Sequence, residues 1–330
     1  MTLVYVIAGE ESGDVLGAKL MAALKAARPG LDFAGIGGPR MVAEGMAPLF
    51  AQRELAVMGL LEVLPKIRQL RARLQQTIAD ILARRPAVLV TIDSPGFTLR
   101  VLRGVEGCGI ARAHYVAPQV WAWREGRVKH FPGLWEKLLC LLPFEPAFFA
   151  RHGLAAIFVG HPVLEAGLDR GDAARFRAAH GLTEGQRPVI VMPGSRRSEV
   201  FRLLPIFGET LELALAGVPM VVAYRVNPVT AMIARRLVKV KFAALVNLLA
   251  GRQVVPEMIQ GQCTPLLLEA ALARLLTDPT EAAAQRMAFR DIAAGLAAQG
   301  MLPSEAAAAE VLALIDGTAR GPMMMGTALT

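Results

Sequence analysis

Leu3-Val4-Tyr5-Val6-Ile7-Ala8-Gly9-Glu10-Glu11-Ser12-Gly13-Asp14 opens the chain and decides its fold. Leu3–Ala8 is a continuous apolar run, the signature of a strand covered on both faces. It breaks at Gly9, and Val15–Ala27 beyond the turn reads as a helix. Strand, glycine turn and helix together begin a doubly wound α/β fold. The turn is not G-x-G-x-x-G, and Glu10 and Glu11 would repel a pyrophosphate, so a nicotinamide site is not expected. A carboxylate reaching sugar hydroxyls suits the turn better. Ser12 or Asp14 is also suited to capping the helix.

The same unit recurs. Phe33–Ile36 is a second strand, ending at Gly37-Gly38-Pro39-Arg40, and Val88–Ile92 a third, ending at Asp93-Ser94-Pro95-Gly96-Phe97. A carboxylate just past a parallel strand faces the crevice where open α/β sheets bind ligands. Asp93 is therefore a candidate general base, or else an N-cap for a helix over Phe97–Val105. Ala111–Val116 is a strand carrying His114, and a lone buried histidine is more often structural than catalytic. Trp121, Trp123 and Arg124 beyond that strand suit a cleft wall. Lys137–Leu142 and Ile157–Val159 are further strands. Between them, Leu55–Leu64 is nearly all apolar, and Pro65 starts a basic helix over Lys66–Arg85. Ile67, Leu70, Leu74, Ile78 and Ile81 make one apolar face, expected in the core. The apolar run beside Lys66, Arg68, Arg71 and Arg73 reads as an interfacial patch that meets lipid and head-group phosphates.

The second half turns on Pro188–Val200. There an apolar strand (Val189–Met192) meets Pro193-Gly194, Ser195, Arg196 and Arg197 ahead of a helix start. Free N–H groups at a helix N-terminus bind anions, and arginines add bidentate phosphate contacts. An ordinary strand–helix turn with solvated arginines reads equally well from these residues alone. Only Val189–Met192 and Val218–Tyr224 are clear strands in this half, whereas a Rossmann domain needs about five or six. Asp278-Pro279 marks a helix start, and alanine-rich Glu305–Leu314 a packing helix.

The totals agree. The 330 residues suggest two domains, 1–165 and 166–330. With 54% hydrophobic and 19% charged residues, disorder is not expected. The net charge of +8 suits phosphate-bearing ligands, nucleic acid or an anionic membrane face. Aromatics are only 6% and alternate with no basic run, so nucleic acid is not an expected partner. Cys108, Cys140 and Cys263 form no disulfide or zinc pattern, which fits a reducing cytoplasm. Nothing clusters as metal ligands, and no cofactor is expected. Met1–Ala8 has no basic start before its apolar run and reads as a strand, not a signal peptide. Apolar runs elsewhere stop short of the ~18–20 residues a spanning helix needs.

Many motifs occur together in order. They are Gly9-Glu10-x-Ser12-Gly13-Asp14, Gly38-Pro39-Arg40-Met41, Leu55-Ala56-Val57-Met58-Gly59, Ile92-Asp93-x-Pro95, His114-Tyr115-Val116 and Val120-Trp121-Ala122-Trp123-Arg124, followed by Gly160-His161-Pro162, Pro193-Gly194-Ser195-Arg196 and Asn247-Leu248-Leu249-Ala250-Gly251-Arg252. The set resembles the lipid-A-disaccharide synthases from about Leu3 to the last helices. The resemblance implies an α/β, GT-B-like fold, with two Rossmann-type domains facing a cleft. It also implies an inverting, metal-independent glycosyltransferase. Such an enzyme joins UDP-2,3-diacylglucosamine to 2,3-diacylglucosamine 1-phosphate and releases UDP. Within such a reaction Asp93 is the expected base, and Glu10 and Arg124 would orient sugar or acceptor phosphate. Gly194, Ser195, Arg196, Glu212, Asn247 and Gln253 would hold the donor; Ser12, His114, Trp123 and Arg124 would line the acceptor side. Asn247 and Gln253 read otherwise as loop and cap residues.

In the family a strand–helix block lies between the Gly-Ser-Arg turn and the stretch resembling Thr210-Leu211-Glu212. Here that block is missing between about Ile206 and Thr210, which leaves the C-terminal domain incomplete. The expected setting is the cytoplasm, peripheral on the inner face of the inner membrane, with Leu55–Arg73 on the anionic surface and a homodimer among the arrangements. Two alternatives stand beside this reading: a GT-B transferase with another acceptor, and a shortened relic that binds acyl-sugar or membrane without catalysis.

Overall fold

The structure is a computed structural model that describes residues 2–55, 60–167, 170–183, 186, 218–224, 231–232, 236–298 and 300–317. The chain divides into two compact units. Unit 1 comprises Met1–Val120, Glu125–Pro162 and Ala297–Thr330; unit 2 comprises Trp121–Arg124 and Val163–Leu296.

Unit 1 is built on β1 (Thr2–Ala8), β2 (Leu31–Ile36), β3 (Ala47–Pro48), β4 (Val88–Ile92), β5 (Ala111–Tyr115), β6 (Lys137–Cys140) and β7 (Ala156–Phe158). They form one sheet in the order β3-β2-β1-β4-β5-β6-β7, with every pairing parallel. The order reverses between β1 and β4, so the turns after those two strands flank the topological switch point. Successive side chains alternate between the faces. Val4, Val6 and Ala8 join Val90, Ile92 and Tyr115 in a core closed by Leu16, Leu20, Met21 and Leu24 of α1 (Glu11–Ala27). Tyr5 points the other way and donates its hydroxyl to Asp80 of α3 (Leu60–Arg84) at 2.9 Å. Helices α2 (Pro39–Ala43), α4 (Pro95–Gly104) and α6 (Glu145–Ala150) complete the connections of this half; of α5 (Val120–Trp123), Val120 is assigned to unit 1 and Trp121–Trp123 to unit 2.

Several expectations need correction. Strand β3 was not foreseen, because two residues ending in Pro48 carry no strand pattern. Helix α3 begins at Leu60, so Pro65 does not start it but lies inside, where the ring removes one backbone bond. The apolar stripe of α3 is graded: Ile81 is fully buried but Ile67 is 56% exposed, so the stripe is core only at its far end.

Unit 2 holds α7 (Ala173–Ala179), β8 (Val222–Tyr224), α8 (Leu245–Ala250), β9 (Glu257–Ile259), α9 (Pro265–Thr277) and α10 (Pro279–Gly295). β8 and β9 pair in parallel. β9 lies beyond Tyr224, where the sequence shows no clear strand; its three residues lack any strand periodicity. Met220 and Gln285 tie β8's approach to α10: the Met220 N–H donates to Gln285 Oε1 at 2.9 Å. Asp278 caps α10 by accepting from the Thr280 N–H at 2.8 Å, as the Asp-Pro pair implies. The expected strand Val189–Met192 lies outside the described residues.

The last helix, α11 (Pro303–Ile315), was grouped by sequence with the C-terminal half. It packs instead within unit 1, against α1, β4 and β5. Ala307 and Val311 are fully buried there, Lys137 of β6 pairs with Glu310, and Arg28 meets Asp316 at 2.6 Å. An alanine-rich face allows this close approach to the sheet. Among the described residues, no helix is long and apolar enough to cross a membrane.

Candidate active site

The turns after β1 and β4 meet at the switch point, and their contact is steric. A Cβ built on Gly9 would lie 2.6 Å from Ser94 Oγ and 2.9 Å from Ser94 Cβ, so only glycine admits this approach. Asp93 and Ser94 both have left-handed backbones, with φ 46° and 47°, a conformation that costs a non-glycine residue about 1–2 kcal/mol. Surrounding bonds hold it there. The Asp93 N–H donates to Tyr115 O at 2.9 Å, and the Thr98 hydroxyl lies 2.7 Å from Asp93 O and 3.0 Å from Ser94 O. Asp93 is thus the half-buried carboxylate at the mouth of the sheet. It does not cap α4, whose N-cap is Ser94, with no side-chain bond.

Glu10 occupies the N-cap position of α1, in an extended backbone and half-buried, and Ser12 is exposed in the first turn. Gln52 braces this turn from a distance: its Nε2 donates to Ala8 O and Glu10 O, both at 2.9 Å. Asp14, expected as an α1 cap, has another task. Its carboxylate is buried and accepts from Gly38 N (2.8 Å), Arg40 N (3.0 Å) and Met41 N (3.0 Å), so it caps α2 and joins the first two loops. A Cβ on Gly38 would stand 2.6 Å from Asp14 Oδ2, so this position too requires glycine. The sequence reading missed Gln52 and Thr98, and nothing in their spacing announces them.

His114, expected on the acceptor side, is sealed in the sheet. It is fully buried in mid-β5 opposite Thr91, with Nδ1 2.8 Å from Thr91 Oγ1 and its ring stacked on Trp135 at 5.3 Å. Burial pushes its pKa down to about 3, so the ring is neutral. Trp123 is 41% exposed, with the Arg124 guanidinium 3.9 Å from its ring centroid.

In unit 2, Asn247 is fully buried and spends all its bonding capacity on its own loop. Its Nδ2 donates to Val255 O (2.9 Å) and Glu257 Oε1 (2.7 Å), while its Oδ1 accepts from Val254 N (2.6 Å) and Val255 N (2.9 Å). These bonds are the loop chemistry that the residue type also suggested. Gln253, on the loop so formed, is exposed. Gly194, Ser195, Arg196 and Glu212 lie outside the described residues. Among the described residues, no group of three or more His, Cys, Asp or Glu side chains is placed to hold a metal ion.

Solved structures share this architecture. The chain resembles Staphylococcus aureus MnaA, solved with UDP, at a TM-score of 0.54 and 11% identity over 99% of this chain and 100% of that one. It resembles the forosaminyltransferase SpnP at 0.51 and 15% over 96% and 99%. A doubly wound sheet with a carboxylate at its switch point, followed by a second α/β unit, is an architecture of the GT-B-like class. A family model described as lipid-A-disaccharide synthetase matches residues 4–210 and 208–311. The lipid-A-disaccharide synthases of Granulibacter bethesdensis and Gluconobacter oxydans are 47% and 48% identical to it over 95% of this chain, covering 98% and 91% of their own. The chain belongs to the lipid-A-disaccharide synthase family.

The comparisons also bear on the missing block. The Granulibacter alignment spans 387 positions but holds 95% of a 330-residue chain, about 314 residues, so about 73 positions of the relative have no counterpart here. The family model breaks and resumes at residues 208–210, where the sequence reading places the gap. About 73 positions is the size of two βαβ units at roughly 30 residues each.

Proposed function

We propose that this chain joins UDP-2,3-diacylglucosamine to 2,3-diacylglucosamine 1-phosphate, forming the lipid A disaccharide 1-phosphate and UDP with inversion at the anomeric carbon. The observation that carries the reading is the pinned Asp93 at the mouth of the sheet, in a chain of this family. The Asp93 carboxylate takes the proton of the acceptor hydroxyl. The oxygen so freed bonds the anomeric carbon from the side opposite the diphosphate, and the bond from that carbon to the UDP oxygen breaks. Arg196 and the N–H groups of Gly194–Arg196 would take the charge that gathers on the leaving diphosphate, with Glu212 on the ribose hydroxyls. Glu10 would hold sugar hydroxyls, and Arg124 beside Trp123 the acceptor phosphate, with Ser12 and Gln253 bordering the two substrates. The work would be done on the inner face of the inner membrane, with Leu55–Arg73 on the lipid.

The assay is disaccharide formation by the purified chain, followed by thin-layer chromatography, beside UDP binding by calorimetry. Asp93→Asn is expected to leave UDP affinity intact and abolish disaccharide formation. Equal loss of both would reduce Asp93 to a structural role. A second reading, a relic that binds acyl-sugar without transfer, is favoured by the missing positions; absence of UDP binding by the wild-type chain would establish it.

A further inference from the structure

We infer that Thr98 is a positioning residue for Asp93, acting through the Asp93 peptide; the inference rests on the reading of Asp93 as the base. A threonine in the first turn of a helix ordinarily bonds the carbonyl four residues back. The Thr98 hydroxyl does reach Ser94 O at 3.0 Å, but its shorter contact, 2.7 Å, is to Asp93 O, outside the helix. Ser94 O already accepts from the Phe97 N–H at 2.9 Å and the Thr98 N–H at 3.1 Å, so it does not need the hydroxyl. The Asp93 peptide is therefore held from both ends, by Tyr115 O on its N–H and by Thr98 Oγ1 on its C=O.

The restraint has something to resist. Two successive non-glycine residues in left-handed conformation relax toward the right-handed or extended regions unless neighbours prevent it. Gly9 supplies the other wall, because Ser94 sits where a Cβ on residue 9 would be. Thr98 is fully buried and cannot touch substrate, so its effect must pass through the carboxylate it orients. A general base misplaced by about 1 Å costs on the order of a hundredfold in rate.

Two substitutions separate positioning from packing. Thr98→Val keeps the shape and removes the hydroxyl; Thr98→Ser keeps the hydroxyl and loses a methyl group. Packing alone makes Ser the worse variant in both stability and turnover. Positioning reverses the order for turnover. Thr98→Val is expected to lower kcat about ten- to a hundredfold with KM for the UDP-sugar unchanged, and Thr98→Ser to restore most of it. A companion readout needs no turnover: amide hydrogen exchange at Asp93 and Ser94 should quicken in Thr98→Val and stay near wild type in Thr98→Ser. Unchanged exchange and kcat in Thr98→Val would overturn the inference. If Asp93→Asn retains full transfer, the reading of the base fails instead, and exchange alone then decides what Thr98 holds.

Discussion

Burial sets the charge of His114. Its folded pKa of about 3 lies below the ordinary 6.5, so the neutral ring is the form the core accepts. The sign follows from that order. The contribution to stability is complete above about pH 6.5 and is lost as pH falls toward about 3, at up to about 1.4 kcal/mol per pH unit. His161, pushed down to about 4 by burial, loses stability over the same acid range. Urea midpoints of wild type and His114→Gln, measured between pH 7 and 4, should therefore diverge in shape, with the variant flatter; parallel curves would contradict it. Such a residue is easy to see in a sequence and hard to place, because burial depends on Trp135 and Thr91, which no local pattern ties to it. Asp93 was legible, since an acid after an apolar run is a strand-end signal. Its partners Tyr115 and Thr98, and Gln52 under the neighbouring turn, were not. Tyr115 acts through a backbone carbonyl that any residue possesses, and the Thr98 and Gln52 side chains bond backbone carbonyls that no sequence pattern marks.

Helices α1 and α4 follow their sequence patterns, and the strands before them keep their expected bounds to within a residue or two. What periodicity misjudged was depth. Helix α3 carries one apolar stripe, but only its Ile81 end is fully buried, and Ile67 is exposed beside exposed Arg68 and Arg71. Arg73 is half-buried, paired with Glu54 at 2.6 Å, and less able to reach lipid. The membrane reading of Leu55–Arg73 therefore concentrates on Ile67, Arg68 and Arg71. Each basic residue near an anionic surface contributes about 1 kcal/mol, so Arg68→Glu with Arg71→Glu should weaken co-sedimentation with phosphatidylglycerol vesicles at least about thirtyfold at low salt. These side chains are exposed, so the fold should survive, as circular dichroism would check. Undiminished sedimentation would place the lipid contact elsewhere. Asn247 shows the opposite limit of sequence reasoning: a motif residue that resembles a ligand contact spends every bond on shaping its loop.

Across the whole chain, the shortage of strands in the second half was readable from counting βαβ units, and the Granulibacter relative holds about 73 positions with no counterpart here. Removing interior strands leaves neighbouring backbone groups without partners and apolar surface without cover. A chimaera carrying the Granulibacter segment between Ile206 and Thr210 tests the consequence. It should bind UDP more tightly than this chain by calorimetry, since the segment would rebuild one wall of the nucleotide site. Equal affinity would mean that the shortened unit already supplies that wall. Unit 1 is intact by contrast, yet it is not assembled from one continuous stretch. Because α11 comes from the far end of the chain, the first sheet cannot be sealed while the ribosome is still making the second unit. At about 5–20 residues per second, its α11-facing surface waits roughly ten to thirty seconds for its cover. A nascent chain of this protein thus carries a half-dressed hydrophobic layer for most of its birth, a natural landing place for chaperones.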